Sequence, residues 1–421
     1  MSSLRATFRS QFGDLRGRAL LVVLGALMCQ MGLGFAYVLS PLAGDIIDEF
    51  GWSRTMYSSA RAPQLFVIAA MSPVVGALAV RFGALAVLAA GAASLAFVFL
   101  LFGVMQNLWQ MYALVMLLGV SITALGDIAV GQLVMRWVDR GRGLTLGLVY
   151  TGSNLGGWLI VPFAVGIASR SSWREACAAL GAVALFVILP AALLLIREPA
   201  AGHHPASSES PHAPPIPIGS DLDLDLAAAL RTRSFWILAG ALFSFFFFFL
   251  GVLDFLVLFL TDSGLTKQEA SRYFGHGLGI GIAAKLTLGL IADRVPHKSV
   301  LLLDYGLLAL SSVLLIALPD AAPIWGFVIC FFFATAARDV VYPLIISSCF
   351  GPRYLAKIYG SLMLTLAPGG ALGPVFAAMM YDRFGNYRVA FYAFALLNLI
   401  SLAALCLVRD ERAQLGPSAH G

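Results

Sequence analysis

The sequence predicts an all-α membrane protein with twelve transmembrane helices in two six-helix bundles, related by a parallel pseudo-twofold repeat. Three observations predict this fold class. Of the 421 residues, 60% are hydrophobic and only 12% are charged, whereas soluble chains carry about 25% charged residues. The apolar residues form long runs of the roughly 20 residues that one membrane crossing needs. Landmark residues of the first half also recur in the second half at a nearly constant spacing.

The apolar runs define the elements in chain order. We number them span 1 to span 12 and predict them near residues 19–43, 55–80, 84–104, 108–134, 144–168, 174–196, 235–260, 268–292, 298–318, 323–349, 359–381 and 389–408. Residues 1–197 are predicted to form one bundle and residues 234–421 the other. The segment between them, 198–233, is rich in Pro, Ser and acidic residues without apolar periodicity, which predicts a flexible cytoplasmic linker.

The loop charges predict the orientation. Cytoplasmic loops carry the excess of Lys and Arg. The loops that share a side with the termini hold most of the Lys and Arg, and the opposite side holds only Arg54, Arg170, Arg174, Lys267, Arg383 and Arg388. We therefore expect a multi-pass protein of the cytoplasmic (inner or plasma) membrane with both termini in the cytoplasm.

An internal repeat relates the two halves. Matching landmarks lie 213 residues apart: Gly51-Trp52-Ser53-Arg54 with Gly264-Leu265-Thr266-Lys267, Gly76…Arg81 with Gly289…Arg294, Gly147 with Gly360, and Gly156-Gly157 with Gly369-Gly370. This offset carries span 2 onto span 8, so six spans separate the copies and both halves keep one orientation. Ser53 and Thr266 are predicted N-caps, and Thr266 with Glu269 has capping-box form.

One motif in the repeat resembles a known family. Gly-x-x-x-Asp-Arg follows span 8 as Gly289…Asp293-Arg294, whereas the copy after span 2 has Val80 before Arg81. Two parallel six-helix halves with this motif resemble the major facilitator superfamily. The resemblance implies a gating role for Asp293, Arg294 and Arg81. It also implies weaker gating contacts where Val80 replaces the acid.

A narrower resemblance is to the monocarboxylate transporter and oxalate/formate antiporter group. It rests on Phe50-Gly51-Trp52-Ser53-Arg54 before span 2 and on Arg136-Trp137-Val138 with Arg142…Gly147 at the start of span 5. It implies that Lys285 in span 8 is the cationic anchor of that group. Many monocarboxylate members carry an Asp one turn earlier, where this chain has Gly281, so anion exchange stays open beside proton symport.

Charged residues inside the spans are functional candidates, because a charge at mid-helix costs about 2.5–3.5 kcal/mol on insertion scales. Lys285 lies roughly 12 Å from the cytoplasmic end of span 8 at 1.5 Å per residue. We interpret it as a partner of a substrate carboxylate, the alternative being neutralisation by an Asp of a neighbouring helix. Arg338 in span 10 either contacts substrate or bridges to Asp127 of span 4, and the two states can alternate.

Further polar residues complete the predicted site. The proton-coupling candidates are Asp254, Asp127 and Asp339, and for Asp254 a cap or a pair with Arg272 is an equal alternative. Arg61 and Arg272 lie near the outer helix ends, so snorkelling to the interface is expected. The predicted cavity lining consists of Gln30, Tyr37, Asn154 and Tyr342, although such groups often bond neighbouring helices instead. The glycines Gly152, Gly156, Gly369 and Gly373 are predicted helix-packing sites.

Transport is the function class that these patterns favour. The chain lacks a Walker motif and the His-Glu-x-x-His and Gly-x-Ser-x-Gly motifs of hydrolases, so we expect neither an enzyme nor a cofactor or metal. The leading interpretation is a secondary transporter of a small organic anion, specifically a monocarboxylate. Its expected partners are that anion, protons or a counter-anion, and membrane lipid, with no nucleic acid. The alternative is an exporter of a hydrophobic or cationic compound, favoured by the run Phe245–Phe249.

Overall fold

The computed structural model describes residues 17–138, 142–198, 223–292, 295–318, 324–351 and 354–412. Within these ranges the regular structure is helical, and helix covers each of the twelve predicted spans. Ten helical stretches of the described part are long and apolar enough to cross a membrane, and span 10 is an eleventh when its two parts are joined. The remaining span, Lys267–Ala292, begins with several charged residues that lower its hydropathy. The predicted fold class is confirmed.

The first six spans contain several breaks in regular α-helix. Their helices are Arg18–Met31, a 3₁₀ segment Gly32–Val38 and Leu39–Phe50 for span 1, Arg54–Arg61 and Pro63–Phe82 for span 2, Ala84–Phe102 for span 3, Leu108–Leu125 and Asp127–Trp137 for span 4, Arg142–Tyr150 and Gly152–Ala168 for span 5, and Trp173–Val183, a π segment Ala184–Ile188 and Leu189–Leu195 for span 6. Span 1 extends seven residues beyond its predicted end at 43. It ends where Gly51 adopts a left-handed conformation with φ 63°, which glycine reaches without steric cost.

The last six spans follow a short helix, Leu226–Ala229. Their helices are Arg233–Leu253 and Leu256–Asp262 for span 7, Lys267–Ala292 for span 8, His297–Ala317 for span 9, Ile324–Phe350 for span 10, Leu355–Met363 and Leu366–Phe384 for span 11, and Arg388–Leu405 for span 12. Both predicted caps are confirmed. The Ser53 hydroxyl accepts from the amide of Met56 at 3.1 Å, and Thr266 and Glu269 bond reciprocally at 3.0 and 3.3 Å.

The chain divides into two compact units. Unit 1 comprises residues 1–52 and 63–212, and unit 2 comprises residues 53–62 and 213–421. The segment 53–62 forms the first part of span 2, yet it packs with the helices of the C-terminal half. Sequence order alone assigned it to the first bundle, because it is continuous with the rest of span 2.

Glycines allow close helix contacts in each unit, as predicted. In unit 1, a methyl group added at Gly156 of span 5 would collide with the carbonyl of Met31 in span 1. In unit 2, a methyl group at Gly373 of span 11 would collide with the carbonyl of Phe247 in span 7. Small residues let membrane helices approach this closely, so in each half a glycine of the fifth span lies against the backbone of the first span.

The described ends of the predicted linker contact helices of the two halves. Glu198 bonds to Arg136 at 3.0 Å and accepts the amide of Leu85 at 3.2 Å. At the other end, the amide of Leu224 donates to the carbonyl of Phe350 at 3.0 Å. The middle of the linker, including its three histidines, lies outside the described residues.

Candidate functional site

Unit 1 brings together two predicted site residues, Gln30 and Asp127. Span 4 is interrupted at Gly126, whose backbone is extended, and Asp127 begins the next helix. A carboxylate is favoured at this position by the positive end of the helix dipole. The fully buried Gln30 of span 1 donates from its amide to the Asp127 carboxylate at 2.9 Å. The break in span 4 thus presents an exposed carboxylate to a buried amide.

A tyrosine that the sequence interpretation missed joins this pair. The hydroxyl of Tyr150 in span 5 donates to the backbone carbonyl of Asp127 at 3.3 Å. Tyr150 lies one helical turn before Asn154, which is buried in span 5. Residues at this spacing share a helix face, and that was the sequence signal by which Tyr150 could have been found. Tyr37 is half-buried in the 3₁₀ segment of span 1, beyond Gln30.

Unit 2 holds Arg338 at mid-span among aromatic groups. Its guanidinium lies 5.3 Å from the ring of Phe245 and 5.0 Å from the ring of Phe246, both in span 7. Arg338 also reaches the hydroxyl of Tyr359 at 3.5 Å and the sulfur of Met363 at 3.7 Å in span 11. Cation–π contacts attract a guanidinium without neutralising it. These groups therefore fix the position of a permanent positive charge.

Tyr342 lies one turn after Arg338 and is fully buried. Its hydroxyl is 2.6 Å from the hydroxyl of Tyr305 in span 9 and donates to the carbonyl of Leu238 in span 7 at 3.4 Å. The structure therefore places Tyr342 in the packed interior of unit 2. The sequence interpretation missed Tyr305 and its neighbour Asp304, which is also buried.

The structure describes two further predicted site residues, Lys285 and Arg81. Lys285 is half-buried in span 8. Arg81 is exposed, with its guanidinium 5.1 Å from the ring of Phe82. Asp293 and Arg294, the other predicted gating residues, and the side chain of Asp339 lie outside the described residues.

Asp254 forms a buried ion pair with Arg61. Arg61 donates to the Asp254 carboxylate at 2.5 Å, and each side chain is only 11% exposed. The prediction that Arg61 snorkels to the interface is therefore wrong. Its distance from the helix end suggested snorkelling, but segment 53–62 is packed into unit 2, where the guanidinium meets an acid of span 7.

A second set of contacts holds the start of the same segment. Arg54 pairs with Asp262 at 2.7 Å, lies 3.5 Å from the centroid of the Tyr381 ring and also donates to the Tyr387 hydroxyl. The carboxylate of Asp382 accepts the backbone amides of Arg54 and Thr55 at 3.2 and 2.9 Å. An acid at a helix N-terminus satisfies otherwise unpaired amides and complements the dipole.

Burial raises the pKa of the Tyr387 phenol, which lies between spans 11 and 12, although the charge of Arg54 acts in the opposite direction. Tyr387 is therefore a neutral acceptor for Arg54 at ordinary pH. We call the ion pairs and caps made by segment 53–62 the span-2 clamp, formed by Arg54 and Arg61 with Asp254, Asp262 and Asp382. The sequence interpretation missed Asp262 and Asp382 because both lie near helix ends, where acids are common.

The helical membrane fold carries charged groups at mid-span, and in membrane proteins such groups mark substrate or ion pathways. The sequence profile of the Major Facilitator Superfamily matches residues 22–350. The chain belongs to this family, and the resemblance predicted from its motifs is confirmed.

Curated relatives cover most of the chain. The oxalate:formate antiporter of Oxalobacter formigenes is 25% identical over 94% of this chain and 92% of its own length. Monocarboxylate transporter 11 of Homo sapiens is 28% identical over 82% of this chain and 73% of its own length. The predicted likeness to this group is therefore also confirmed.

The fold matches that of solved transporters. A bacterial homologue of the human lysosomal transporter Spinster, solved in an inward-facing and unoccupied conformation, superposes with a TM-score of 0.73. The match covers 96% of this chain and 100% of that chain at 17% identity. At this identity the likeness concerns the fold alone.

Proposed function

We propose that this chain is a secondary active transporter that moves a small organic anion, a monocarboxylate, across the cytoplasmic membrane by alternating access with proton coupling. The observation that carries the proposal is Arg338, whose guanidinium is held at mid-span by the rings of Phe245 and Phe246 and by Tyr359. Arginine stays protonated and offers a planar fork of donors that matches a carboxylate. Parallel-repeat transporters bind substrate near the middle of the membrane.

A second cation and the relatives support the same substrate class. Lys285 is half-buried in span 8 of the same unit, and an ammonium is a compact donor for an anionic oxygen. The names of the two relatives refer to oxalate, formate and monocarboxylates. Arg338 and Lys285 are thus proposed to bind the anion, and Tyr342, Asn154, Tyr37 and Gln30 stay predicted substrate-binding residues.

The contacts of the acids suggest how their roles divide. Asp127 is exposed and bonded to a neutral amide, which suits a carboxyl that exchanges protons with water. Asp254 is paired with Arg61, which suits gating better than proton transfer. Asp339, beside Arg338 in the sequence, remains a third candidate for coupling, and Asp293, Arg294 and Arg81 are proposed to gate the cytoplasmic side.

Anion exchange without protons is the second candidate, because one relative is an oxalate:formate antiporter. Export of a hydrophobic or cationic compound has less support. The phenylalanine run of span 7 packs within unit 2, where Phe248 lies 5.5 Å from Phe331 and Phe247 lies 5.3 Å from Phe394. These rings fill the interior between helices, so they do not point to an aromatic drug pocket.

Uptake by purified protein in liposomes tests the proposal. The labelled panel is lactate, pyruvate, a short fatty acid, oxalate and an aromatic acid, each with and without an inward proton gradient. We expect gradient-driven uptake of one acid, lost in Lys285→Gln and strongly reduced in Arg338→Lys. The control is Arg272→Gln, which removes an exposed cation of the same span 8 and should leave uptake near the wild-type rate.

The outcomes separate the candidates. Uptake that requires an internal counter-anion and does not depend on the proton gradient would support exchange. Uptake of none of the acids would refute the proposed substrate class. Full activity of Lys285→Gln and Arg338→Lys would refute the assigned binding residues.

A further inference from the structure

Unit 2 contains a buried polar cluster that consists of Asp304, Tyr305 and Tyr342. The proposed function gives its carboxyl group no role in proton transfer. Asp304 and Tyr305 of span 9 are 2% and 0% exposed, and Tyr342 of span 10 is 0% exposed. Asp304 lies seven residues after the start of its helix at His297, roughly 10 Å along the axis at 1.5 Å per residue. A carboxyl buried at this depth is costly, so its presence requires an explanation.

The two tyrosines form a directed chain of hydrogen bonds. The hydroxyls of Tyr305 and Tyr342 are 2.6 Å apart, and Tyr342 donates its proton to the carbonyl of Leu238 at 3.4 Å. Since a phenol has one proton to donate, Tyr305 is the donor between the two rings. The chain therefore runs from span 9 through span 10 to span 7, the span whose Phe245 and Phe246 hold Arg338.

An acid and a base both act on this pair of tyrosines. The hydroxyls of Tyr305 and Tyr342 both lie within electrostatic range of Asp304 and of Arg338. Such interactions are stronger in a low-dielectric interior than in water. A change in the charge of Asp304 therefore alters the electrostatic potential at the two hydroxyls, on which Arg338 also acts.

The elements packed against span 9 bring few other charges to this region. Spans 8, 10 and 12 pack on span 9. Span 12 has no charged residue between Val389 and Leu405, and the inner part of span 8 contributes one cation. That cation is Lys285, and span 10 carries Arg338 and Asp339 in its sequence. Asp304 and Arg338 both interact electrostatically with Tyr305 and Tyr342, and Tyr359 at the start of span 11 interacts with Tyr342.

We infer that Asp304 binds the coupled proton of unit 2 and that its protonation state sets the affinity of Arg338 for the anion. The inference rests on the proposed function. With Asp304 ionised, its negative charge offsets that of Arg338 and disfavours the binding of a carboxylate. A proton taken from water on the proton-rich side neutralises the carboxylate, so Arg338 gains the anion as its counter-charge. When the anion leaves on the other side, Asp304 returns the proton to water, and one proton has crossed with each monovalent anion.

Comparison of net uptake with exchange tests this inference. Net uptake requires Asp304 to release its proton in every cycle, whereas exchange of labelled for unlabelled anion does not. Asp304→Asn mimics the protonated carboxyl permanently. We expect it to lower gradient-driven uptake by an order of magnitude or more, to keep exchange near the wild-type rate and to abolish the pH dependence of the exchange KM.

Two companion variants keep the test decisive. Asp304→Glu retains a carboxyl group and should retain gradient-driven uptake with a shifted pH profile, even if Asp304→Asn folds poorly. Ser311→Ala is the control for span 9, because Ser311 is buried two turns further on and its hydroxyl donates within its own helix, to the carbonyl of Leu308 at 2.7 Å. It should behave as wild type in every assay.

The outcomes separate this inference from the proposed function. Anion uptake by the wild type with undiminished gradient-driven uptake by Asp304→Asn overturns the inference and leaves the proposed function intact. Equal losses of uptake and exchange in Asp304→Asn, with an unchanged pH profile in Asp304→Glu, show a structural role and overturn it as well. Wild-type uptake that ignores the proton gradient also overturns it, and absence of anion transport overturns both proposals.

Discussion

The ion pair of Arg61 and Asp254 gives a quantitative prediction about the span-2 clamp. Both side chains are 11% exposed and their closest atoms are 2.5 Å apart, so removal of one partner leaves a buried charge without its counter-ion. Such a loss costs about 3–5 kcal/mol. We expect Asp254→Asn and Arg61→Met each to destabilise the folded protein by this amount. For a unit of about 200 residues, that corresponds to a fall in melting temperature on the order of 10 °C.

The double variant Arg61→Met with Asp254→Leu provides the internal control. Replacing a buried ion pair by apolar residues of similar volume is often neutral or stabilising, so the double variant should regain most of the lost stability. The assay is thermal unfolding of the purified protein in detergent, combined as a double-mutant cycle. If the two single substitutions leave the melting temperature unchanged, or if their effects simply add in the double variant, the buried pair does not hold segment 53–62 and the reasoning is wrong.

Three further predictions concern helix packing, the unit 1 site and the helix cap. Gly156→Ala should prevent folding, since its methyl group meets backbone, whereas Gly166→Ala in the same span has open space and should be tolerated, as membrane expression yields would show. Gln30→Leu removes the amide bonded to Asp127 and should alter the pH profile of transport. It should lower the free energy of unfolding by no more than the roughly 0.5–1.5 kcal/mol of one hydrogen bond. Asp382→Asn removes the charge from a helix N-terminus and should cost about 1 kcal/mol in unfolding measurements, and an unchanged stability would contradict that role.

Local patterns predicted the helices and their caps. The apolar runs located each span, and the Ser/Thr and Glu spacing at Thr266 and Glu269 predicted a cap that the structure contains. The Gly-x-x-x-Gly spacing predicted the contacts made by Gly156 and Gly373. These features depend on residues within one or two helical turns, so the sequence contains the information directly.

Pairings between distant residues were harder to predict. Arg61 and Asp254 are 193 residues apart, and nothing in the periodicity of span 2 indicates that its first two turns pack with the C-terminal helices. Asp304 was overlooked because it lies within eight residues of a predicted helix end, where acids commonly reach water. Its burial depends on how span 9 packs against spans 10 and 12, which is a property of the tertiary structure.

The membership of segment 53–62 in unit 2 has a consequence for expressing the protein as two polypeptides. A cut in the linker gives fragments that match the sequence repeat, but the C-terminal fragment then lacks the helix Arg54–Arg61. Asp254, Asp262 and Asp382 would lose the basic side chains and backbone amides that pair with them. The C-terminal fragment should therefore be unstable when it is made alone. Co-expression with the N-terminal fragment, which carries the missing helix, should restore it.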